Sequence, residues 1–302
     1  MDDNNNLLII SCIFGKNFKY VYPAPSEHKN NCIFFSNNIS IQKEIELKGW
    51  KFYFIPFELS DDNISSSLQS KYIKFLQFLN DYPDFKKYKK ILYFDHKVYL
   101  KKEHLSKLNN LVNDIDKKYC IIIRNHEEEN RTLLQEIDAA NNQERYKKNM
   151  DKIINLINNK ISKKEIEEIK ICNTGLIYYI NYEKIMPMLN DIYNMCIEYK
   201  QPECQIIWGI CSQNYLDNIY NIHFHNFVKP LWKSPENIIE NFMETSNYNN
   251  NNNNLKLEDN RNHIISKLCF ILLTFILLII LFILLFILFI FNGRNRKNKK
   301  IK

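Results

Sequence analysis

Near its C-terminus the chain carries an apolar segment, Leu268 to Phe291, of 24 residues with no charge, Gly or Pro. As a helix it spans about 36 Å at roughly 1.5 Å per residue, which exceeds the roughly 30 Å hydrocarbon core of a bilayer. A buried core helix of that length without a polar face would be very unusual. The sequence therefore predicts one transmembrane helix, residues 264–292, that crosses the bilayer with some tilt.

The two ends of the chain predict opposite orientations in the membrane. The tail, residues 293–302, is strongly basic and favours the cytoplasm, with the rest of the chain on the other side. At the N-terminus, Asp2 and Asp3 stand where a signal peptide has its basic region. A tail-anchored protein made without a signal keeps its body in the cytoplasm. The membrane side of the body therefore stays open.

The charge balance and the cysteines bear on partners and cofactors. The formal net charge is +7, and six of the positive charges lie in the tail, which leaves +1 for the rest of the chain. A nucleic-acid-binding body needs a basic face, so we expect no nucleic-acid partner. The eight cysteines lie mostly in apolar runs without a Cys-x-x-Cys pair, which predicts buried thiols rather than a disulfide framework or a zinc site.

Short apolar runs alternate along the body with stretches of helical spacing. The expected strands are Leu7–Phe14, Cys32–Ser36, Trp50–Pro56, Lys90–Phe94, Cys120–Arg124, Ile169–Ile180 and Ile219–Phe224. The expected helices are Ser60–Asn80, capped by Asp61 or Asp62, then Glu103–Asp116, Gln143–Glu168, Ile185–Tyr199 and Glu203–Asn214. This alternation predicts an α/β fold with a mostly parallel sheet, in which ligands bind at the carboxyl ends of the strands. The expected domain covers residues 1–232, followed by an Asn-rich linker, residues 233–263.

One strand ends in an acidic residue, Asp95, within the run Ile91–Val98. This run resembles the strand-terminal Asp-x-Asp of A-type glycosyltransferases, in which carboxylates hold a divalent metal against the sugar-nucleotide diphosphate, where negative charge accumulates on the leaving group. Lys97 stands where that resemblance implies the second Asp. Taken alone, a strand-terminal Asp is more often a turn or helix-capping residue than a metal ligand.

Three further motifs lie within a predicted strand, at a helix start or at the end of the last strand. Asn173-Thr174-Gly175 and Glu203-Cys204-Gln205 have amide, carboxylate and glycine residues suited to recognising sugar hydroxyls. His223 follows the last strand with Lys229 six residues later, an imidazole for metal or phosphate and an ammonium for diphosphate. A β-bulge glycine, a surface helix start and a histidine in a polar loop are the simpler alternatives.

The order and spacing of these motifs resemble those of family 8 glycosyltransferases. That family shares a strand-terminal Asp-x-Asp, an Asn-x-Gly, an Asp-Gln and a final His-Phe-x-Gly-x-x-Lys-Pro-Trp. This chain departs from the pattern at two positions, since Asn226 replaces a Gly and Lys97 replaces a metal ligand.

A closer resemblance covers residues 7–232. It is to a glycosyltransferase-like domain family found in plant proteins linked to cell-wall mucilage and turgor, and in microbes. The matching residues are Cys12–Gly15, Cys32–Asn37, Gly49 with Trp50, Lys71 with Lys74, Asp95, and His126 with Arg131 and Glu136. The resemblance implies a Rossmann-like sheet of the A-type glycosyltransferase kind and a nucleotide-sugar donor.

The resemblance also implies roles for individual residues. Phe14 and Gly15 would line the nucleotide site, and Glu203 with Gln205 and Asp95 would lie at the reacting centre. Asp95 and His223 would hold Mn or Mg, although Lys97 argues against a tightly held ion, and we expect its ammonium to do part of the metal's work. The remaining donor contacts would be Lys71, Arg131, Asn173, Gly175 and Lys229.

The combined features predict a single-pass, membrane-anchored glycosyltransferase that transfers a sugar to a glycan, protein or lipid acceptor. The alternative is a catalytically inactive relative, a binding or scaffold protein tethered to the membrane. Lys97 favours the alternative, and His223 with Lys229 favours the enzyme. A hydrolase acting on membrane lipid is disfavoured, because the sequence has no Gly-x-Ser-x-Gly and no clustered zinc ligands.

Overall fold

The computed structural model describes residues 6–18, 20–25, 31–128 and 130–223. All of them belong to the first of the two units into which the chain divides, Met1–Trp232. The predicted linker, transmembrane helix and basic tail lie outside the described residues, as does Lys229. Within the described part of the chain, no helix has the length and apolarity needed to cross a membrane.

Seven strands form one sheet within the described residues. They are β1 (Leu7–Cys12), β2 (Cys32–Ser36), β3 (Lys51–Phe54), β4 (Lys90–Phe94), β5 (Ile121–Asn125), β6 (Cys172–Tyr179) and β7 (Ile219–Ile222). Their order across the sheet is β3-β2-β1-β4-β6-β5-β7. Only β6 runs antiparallel to its neighbours in this sheet, pairing with β4 on one side and β5 on the other. The predicted α/β fold with a mostly parallel sheet is confirmed.

The helices lie on both faces of the sheet. They are α1 (Gln42–Leu47), α2 (Asn63–Lys74), α3 (Phe78–Asp81), α4 (Lys102–Ile115), α5 (Leu133–Asn141), α6 (Glu144–Lys147), α7 (Met150–Lys160), α8 (Lys163–Glu168), α9 (Met186–Glu198) and α10 (Cys204–Cys211). Alternate residues of each strand point to opposite faces, so Leu8 and Ile10 join one core and Leu7 and Ile9 the other. Central strands covered on both faces need continuous apolar runs, as β1 has.

The predicted helix Ser60–Asn80 is divided in two. Asp62 caps the start of α2, where its carboxylate accepts hydrogen bonds from the amides of Ile64 (3.2 Å) and Ser65 (2.9 Å). The helix stops after Lys74, and Leu76 adopts a positive φ of 59° before α3 begins. Such a conformation is incompatible with a continuous right-handed helix.

The prediction of one helical stretch over Gln143–Glu168 is wrong. The structure has three helices there, α6, α7 and α8. Ile161 is extended, at φ −131° and ψ 133°, and Ser162 then opens α8 with a capping box that includes Glu165. A similar capping box, formed by Thr132 and Gln135, opens α5, a helix absent from the sequence prediction.

The topology brings several predicted residues to one edge of the sheet. The parallel strands β1, β4, β5 and β7 all end at this carboxyl edge, and the antiparallel β6 begins there. In register, Phe94 of β4 pairs with Leu176, and Arg124 of β5 pairs with Asn173. The segments after β4 and β5 therefore lie beside the first residues of β6.

Candidate functional site

Asp95 is the first residue after β4, and its carboxylate is held by the protein itself. Its backbone amide donates to the carbonyl of Gly175 (2.9 Å). The carboxylate oxygen Oδ1 accepts a hydrogen bond from the hydroxyl of Tyr93 (2.6 Å) and pairs with Nζ of Lys74 (3.1 Å). Lys74 ends α2 and is only 4% exposed, whereas the Asp95 side chain is 24% exposed, so the ammonium is the buried partner of this ion pair.

Three more cations surround Asp95 and act on its charge or geometry. Arg124 is fully buried, and its Nη2 donates to Oδ1 of Asn173 (2.9 Å). Lys71 is 5% exposed and Lys97 half-buried, and both stabilise the Asp95 carboxylate electrostatically. We call these residues the Asp95 cluster: Lys71, Lys74, Tyr93, Asp95, Lys97 and Arg124.

Gly175 is required where this cluster meets β6. A Cβ atom at that position would lie 2.9 Å from Oδ1 of Asn173, 3.2 Å from Nη2 of Arg124 and 3.3 Å from Oδ2 of Asp95. The first distance is shorter than any ordinary carbon contact, and the Asn173 carbonyl also accepts from the Gly175 amide (2.9 Å). The predicted Asn-x-Gly motif is therefore placed directly against Asp95.

The cluster keeps Asp95 negative and its neighbours positive. Burial by itself would raise the pKa of Asp95, but Lys74 and Lys97, with the Tyr93 hydroxyl, hold it well below its ordinary value of 3.8. Burial lowers the pKa of Arg124 from 12.5 to about 10, with Asp95 opposing, so the guanidinium stays protonated at neutral pH. Burial also lowers the pKa of Lys97, and the nearby charge of Lys74 acts in the same direction.

A second group of polar side chains lies at the start of α10. Glu203 caps the helix, since its Oε1 accepts from the amide of Gln205 (3.1 Å). The next residue, Cys204, contacts the hydroxyl of Thr174 through its sulfur at 3.3 Å. Because Thr174 precedes Gly175, this contact places the predicted Glu-x-Gln motif beside the Asn-x-Gly motif.

Glu136 of α5 is the centre of this second group. Its Oε2 pairs with Nε of Arg131 at 2.6 Å and lies 3.9 Å from Nε2 of His126, and its Oε1 lies 3.4 Å from Nε2 of Gln205. Burial and the nearby charge of Glu203 raise the pKa of Glu136 from 4.5 to about 7, against the opposing effect of Arg131. We call these residues the Glu136 cluster: His126, Arg131, Glu136, Glu203 and Gln205.

The two clusters are electrostatic neighbours. The charge of Lys97 acts on Asp95, and the pKa of Lys97 responds in turn to Glu203 and Arg145. Together with the Cys204–Thr174 contact, this places anionic Glu203 and cationic Lys97 near one another at the carboxyl edge. The structure thus brings Asp95 against the Asn-x-Gly motif, with the Glu-x-Gln motif next to that motif, and the roles of these residues at a reacting centre stay predictions.

The two residues predicted to line the nucleotide site, Phe14 and Gly15, make contacts with other parts of the chain. Phe14 is 4% exposed and packs on Phe57, with ring centroids 5.6 Å apart. Gly15 has a φ of +89°, and a Cβ there would lie 2.1 Å from Oγ of Ser66. Its amide donates to Oδ1 of Asn37 (2.9 Å). The close approach of Ser66 in α2 is thus sufficient to explain a glycine at position 15. The nucleotide contacts of Phe14 and Gly15 stay predictions.

Two other predicted donor contacts have different settings. Arg131 is paired with Glu136 and with Glu128, so carboxylates of the protein itself neutralise its charge. His223 follows β7 at the same edge as Asp95, with β6 and β5 between the two strand ends. Its role as a metal or phosphate ligand stays a prediction. A depression in the described part of the chain lies elsewhere, between Lys89, Asp116 and Glu183, and contains none of the predicted residues.

Sequence reasoning did not assign roles to several members of these clusters. Tyr93 is two residues before Asp95, so it faces the same side of the strand, which the sequence could have shown. Arg124 is a lone charge in the apolar run of β5 and could have been noticed in the same way. The partners of Lys74 and Glu136 depend on how α2 and α5 pack, and no local pattern reveals them.

The donors around Asp95 do not fit the Mn or Mg ion that the resemblance implies. Mg binds oxygen ligands at about 2.0–2.1 Å in octahedral geometry, and one Asp95 oxygen is already bonded to a hydroxyl and an ammonium. The nearest other charged groups are cationic nitrogens, which repel a divalent cation. In the described part of the chain, no group of three or more His, Cys, Asp or Glu side chains could hold a metal.

Comparisons with known proteins give distant likenesses only. No family model and no curated protein matches the chain. Mouse xyloside xylosyltransferase 1, in its apo form, is 9% identical over 72% of this chain and 84% of its own, with a TM-score of 0.38. A glycosyltransferase involved in glycosylation of the PBCV-1 major capsid is 10% identical over 72% and 83%, with a TM-score of 0.34.

A third solved structure, CMP:2-keto-3-deoxy-manno-octonic acid synthetase complexed with CTP, is 9% identical over 80% of this chain and 99% of its own, with a TM-score of 0.40. The structures similar to this chain thus include glycosyltransferases and an enzyme bound to a nucleotide. At these scores the likenesses do not assign a family or an activity, and the function has to be argued from the site.

Proposed function

We propose that this chain is a membrane-anchored glycosyltransferase that moves a sugar from a nucleotide-sugar donor to a glycan, protein or lipid acceptor. The observation that carries the proposal is the Asp95 cluster, where four cations gather around one carboxylate at the carboxyl edge of the sheet. Ligands of parallel α/β sheets bind at that edge. Positive charge there stabilises the diphosphate that leaves when the sugar is transferred.

The proposed reaction breaks the bond between the sugar C1 and the diphosphate oxygen and forms a bond between C1 and an acceptor oxygen. The acceptor hydroxyl loses its proton, and the diphosphate leaves with the electron pair. Lys97 and Lys71, with Lys229 from outside the described residues, face the diphosphate in this proposal. Glu203 and Gln205 lie beside the reacting sugar, next to Gly175 through the Cys204–Thr174 contact.

A second function is favoured by one specific observation. One oxygen of the Asp95 carboxylate, Oδ1, is already paired with Lys74 and hydrogen-bonded to Tyr93. A catalytically inactive relative, tethered to the membrane as a binding or scaffold protein, would keep the same anion-binding cations and carry out no transfer.

The test uses the full chain in detergent micelles. Thermal shift is measured with a panel of nucleotide sugars, because a ligand at a hundred times its Kd stabilises the folded state by about 2.7 kcal/mol. Release of nucleoside diphosphate is then followed with each donor that binds. Lys164, which is 83% exposed on α8, supplies the matched control: Lys164→Ala should leave binding unchanged, whereas Lys97→Ala should weaken it.

The outcomes separate the two functions. The enzyme predicts binding and release of nucleoside diphosphate, with the release rate reduced in Glu203→Gln. The binding protein predicts the same thermal shift without release. Absence of stabilisation by every nucleotide sugar in the panel would contradict both.

A further inference from the structure

The charge of Asp95 is satisfied by groups that the fold holds in place. Lys74 is buried at the last turn of α2 and Tyr93 is buried in β4, so neither can leave Asp95 without disturbing a core element. The Lys74 side chain also lies 5.2 Å from the Tyr93 ring centroid, a cation–π distance. Lys74, Tyr93 and Asp95 thus form one connected unit at the end of β4.

The balance of charge around this unit is positive. Lys71, Lys74, Lys97 and Arg124 contribute four positive charges, and three carboxylates act on them: Asp95, Glu203 on Lys97, and Glu127 on Arg124. Lys71, Lys74 and Arg124 are each at most 5% exposed. The cations outnumber these carboxylates, and burial strengthens their electrostatic potential, so the site favours binding of an anion from solution. The same excess opposes binding of a divalent metal.

From this geometry we infer that the site binds the diphosphate of its ligand without a divalent metal. Lys74 is the fixed counter-ion of Asp95, and Lys97 is the cation that contacts the diphosphate. The inference rests on the proposed function for the identity of the ligand, a nucleoside diphosphate or its sugar ester. It assigns Asp95 the role of a counter-ion: the carboxylate neutralises the buried ammonium of Lys74 rather than coordinating a metal ion. Lys97 occupies the sequence position of a metal ligand and supplies the positive charge itself.

The inference and a metal site predict opposite effects of Asp95→Asn on the affinity for the diphosphate. If Asp95 were a metal ligand, Asp95→Asn would abolish binding of the diphosphate. If Asp95 is a counter-ion, the same change removes a negative charge from beside the anion, and the diphosphate should bind at least as tightly as in the wild type. The isosteric amide can still accept the Tyr93 hydrogen bond, so the substitution is the mildest way to remove this charge.

The experiment is isothermal titration of the full chain in detergent micelles with inorganic pyrophosphate, once in EDTA and once in Mn. We expect binding in EDTA with a Kd within threefold of that in Mn. Lys97→Ala should weaken binding in EDTA at least tenfold, and the exposed control Lys164→Ala should not change it. Asp95→Asn should bind as tightly as the wild type or more tightly. Circular dichroism and the thermal midpoint of each variant establish that it is folded.

Binding that disappears in EDTA and returns only with Mn would overturn the inference, as would loss of binding in a folded Asp95→Asn variant. These results are distinguishable from failure of the proposed function. If pyrophosphate binds in EDTA but no nucleotide sugar does, the metal-free anion site stands and the glycosyltransferase proposal fails. If sugar transfer occurs but strictly requires Mn, the glycosyltransferase stands and the inference fails.

Discussion

Glu136 should make the free energy of unfolding depend on pH. Burial and the neighbouring Glu203 raise the pKa of Glu136 from 4.5 to about 7, with Arg131 opposing. Between these two pH values the folded protein holds a proton that the unfolded chain has lost. The stability of the fold should therefore fall as pH rises through this window, since the native state binds the extra proton.

The magnitude follows from the difference between 4.5 and about 7, at about 1.4 kcal/mol for each tenfold change in proton concentration. This gives at most about 3 kcal/mol of stability lost between about pH 4.5 and pH 8 because of Glu136. Glu136→Gln keeps the size of the side chain and removes the titration. The free-energy difference between the variant and the wild type should thus change by up to about 3 kcal/mol over the window, in favour of the variant at high pH.

The assay is urea unfolding of the full chain in detergent micelles, followed by tryptophan fluorescence from pH 4.5 to 8 for both proteins. Trp50 and Trp208 are buried and report on opposite cores of the sheet. The exposed control Glu167→Gln should differ from the wild type by no more than about 0.5 kcal/mol. A difference between Glu136→Gln and wild type that stays constant with pH, or grows in favour of the wild type as pH rises, would refute the reasoning.

Two further substitutions test the geometry around the site. Gly175→Ala would place a Cβ 2.9 Å from Oδ1 of Asn173, so we expect a loss of about 1–3 kcal/mol in urea unfolding together with weaker pyrophosphate binding. Unaltered stability and binding would show that the close approach is easily relieved. Asp62→Ala removes two backbone hydrogen bonds and one from the Ser65 hydroxyl at the start of α2, and it should lower the unfolding free energy by about 1 kcal/mol. An unchanged value would indicate that other groups cap the helix.

The elements closest to their sequence predictions are those with simple local causes. The bounds of β2 and β4 agree with the predicted Cys32–Ser36 and Lys90–Phe94, because both are apolar runs limited by polar or turn residues. The antiparallel direction of β6 could not be foreseen, since alternation along a strand has no direction. The breaks between α6, α7 and α8 lie in a polar stretch where periodicity is weak.

The site was predictable where it depends on strand ends and less so where it depends on helix packing. Asp95 follows β4, so its position at the ligand-binding edge follows from the carboxyl-edge rule, whereas Gly175 lies at that edge only because β6 runs antiparallel. The Lys74–Asp95 ion pair joins the end of α2 to the end of β4, and only the packed fold shows that this carboxylate has a counter-ion. The same is true of Glu136, whose neighbour Arg131 comes from the segment before α5 and whose neighbour Gln205 comes from α10.

The most direct test of the account is a crystal structure of the full chain with a nucleoside diphosphate bound in the absence of divalent metal. The account predicts phosphate oxygens within hydrogen-bond distance of Nζ of Lys97 at the carboxyl edge, with Asp95 still paired with Lys74. A diphosphate bound at another face of the sheet, or one held to Asp95 through a metal ion in crystals grown with Mn, would contradict it.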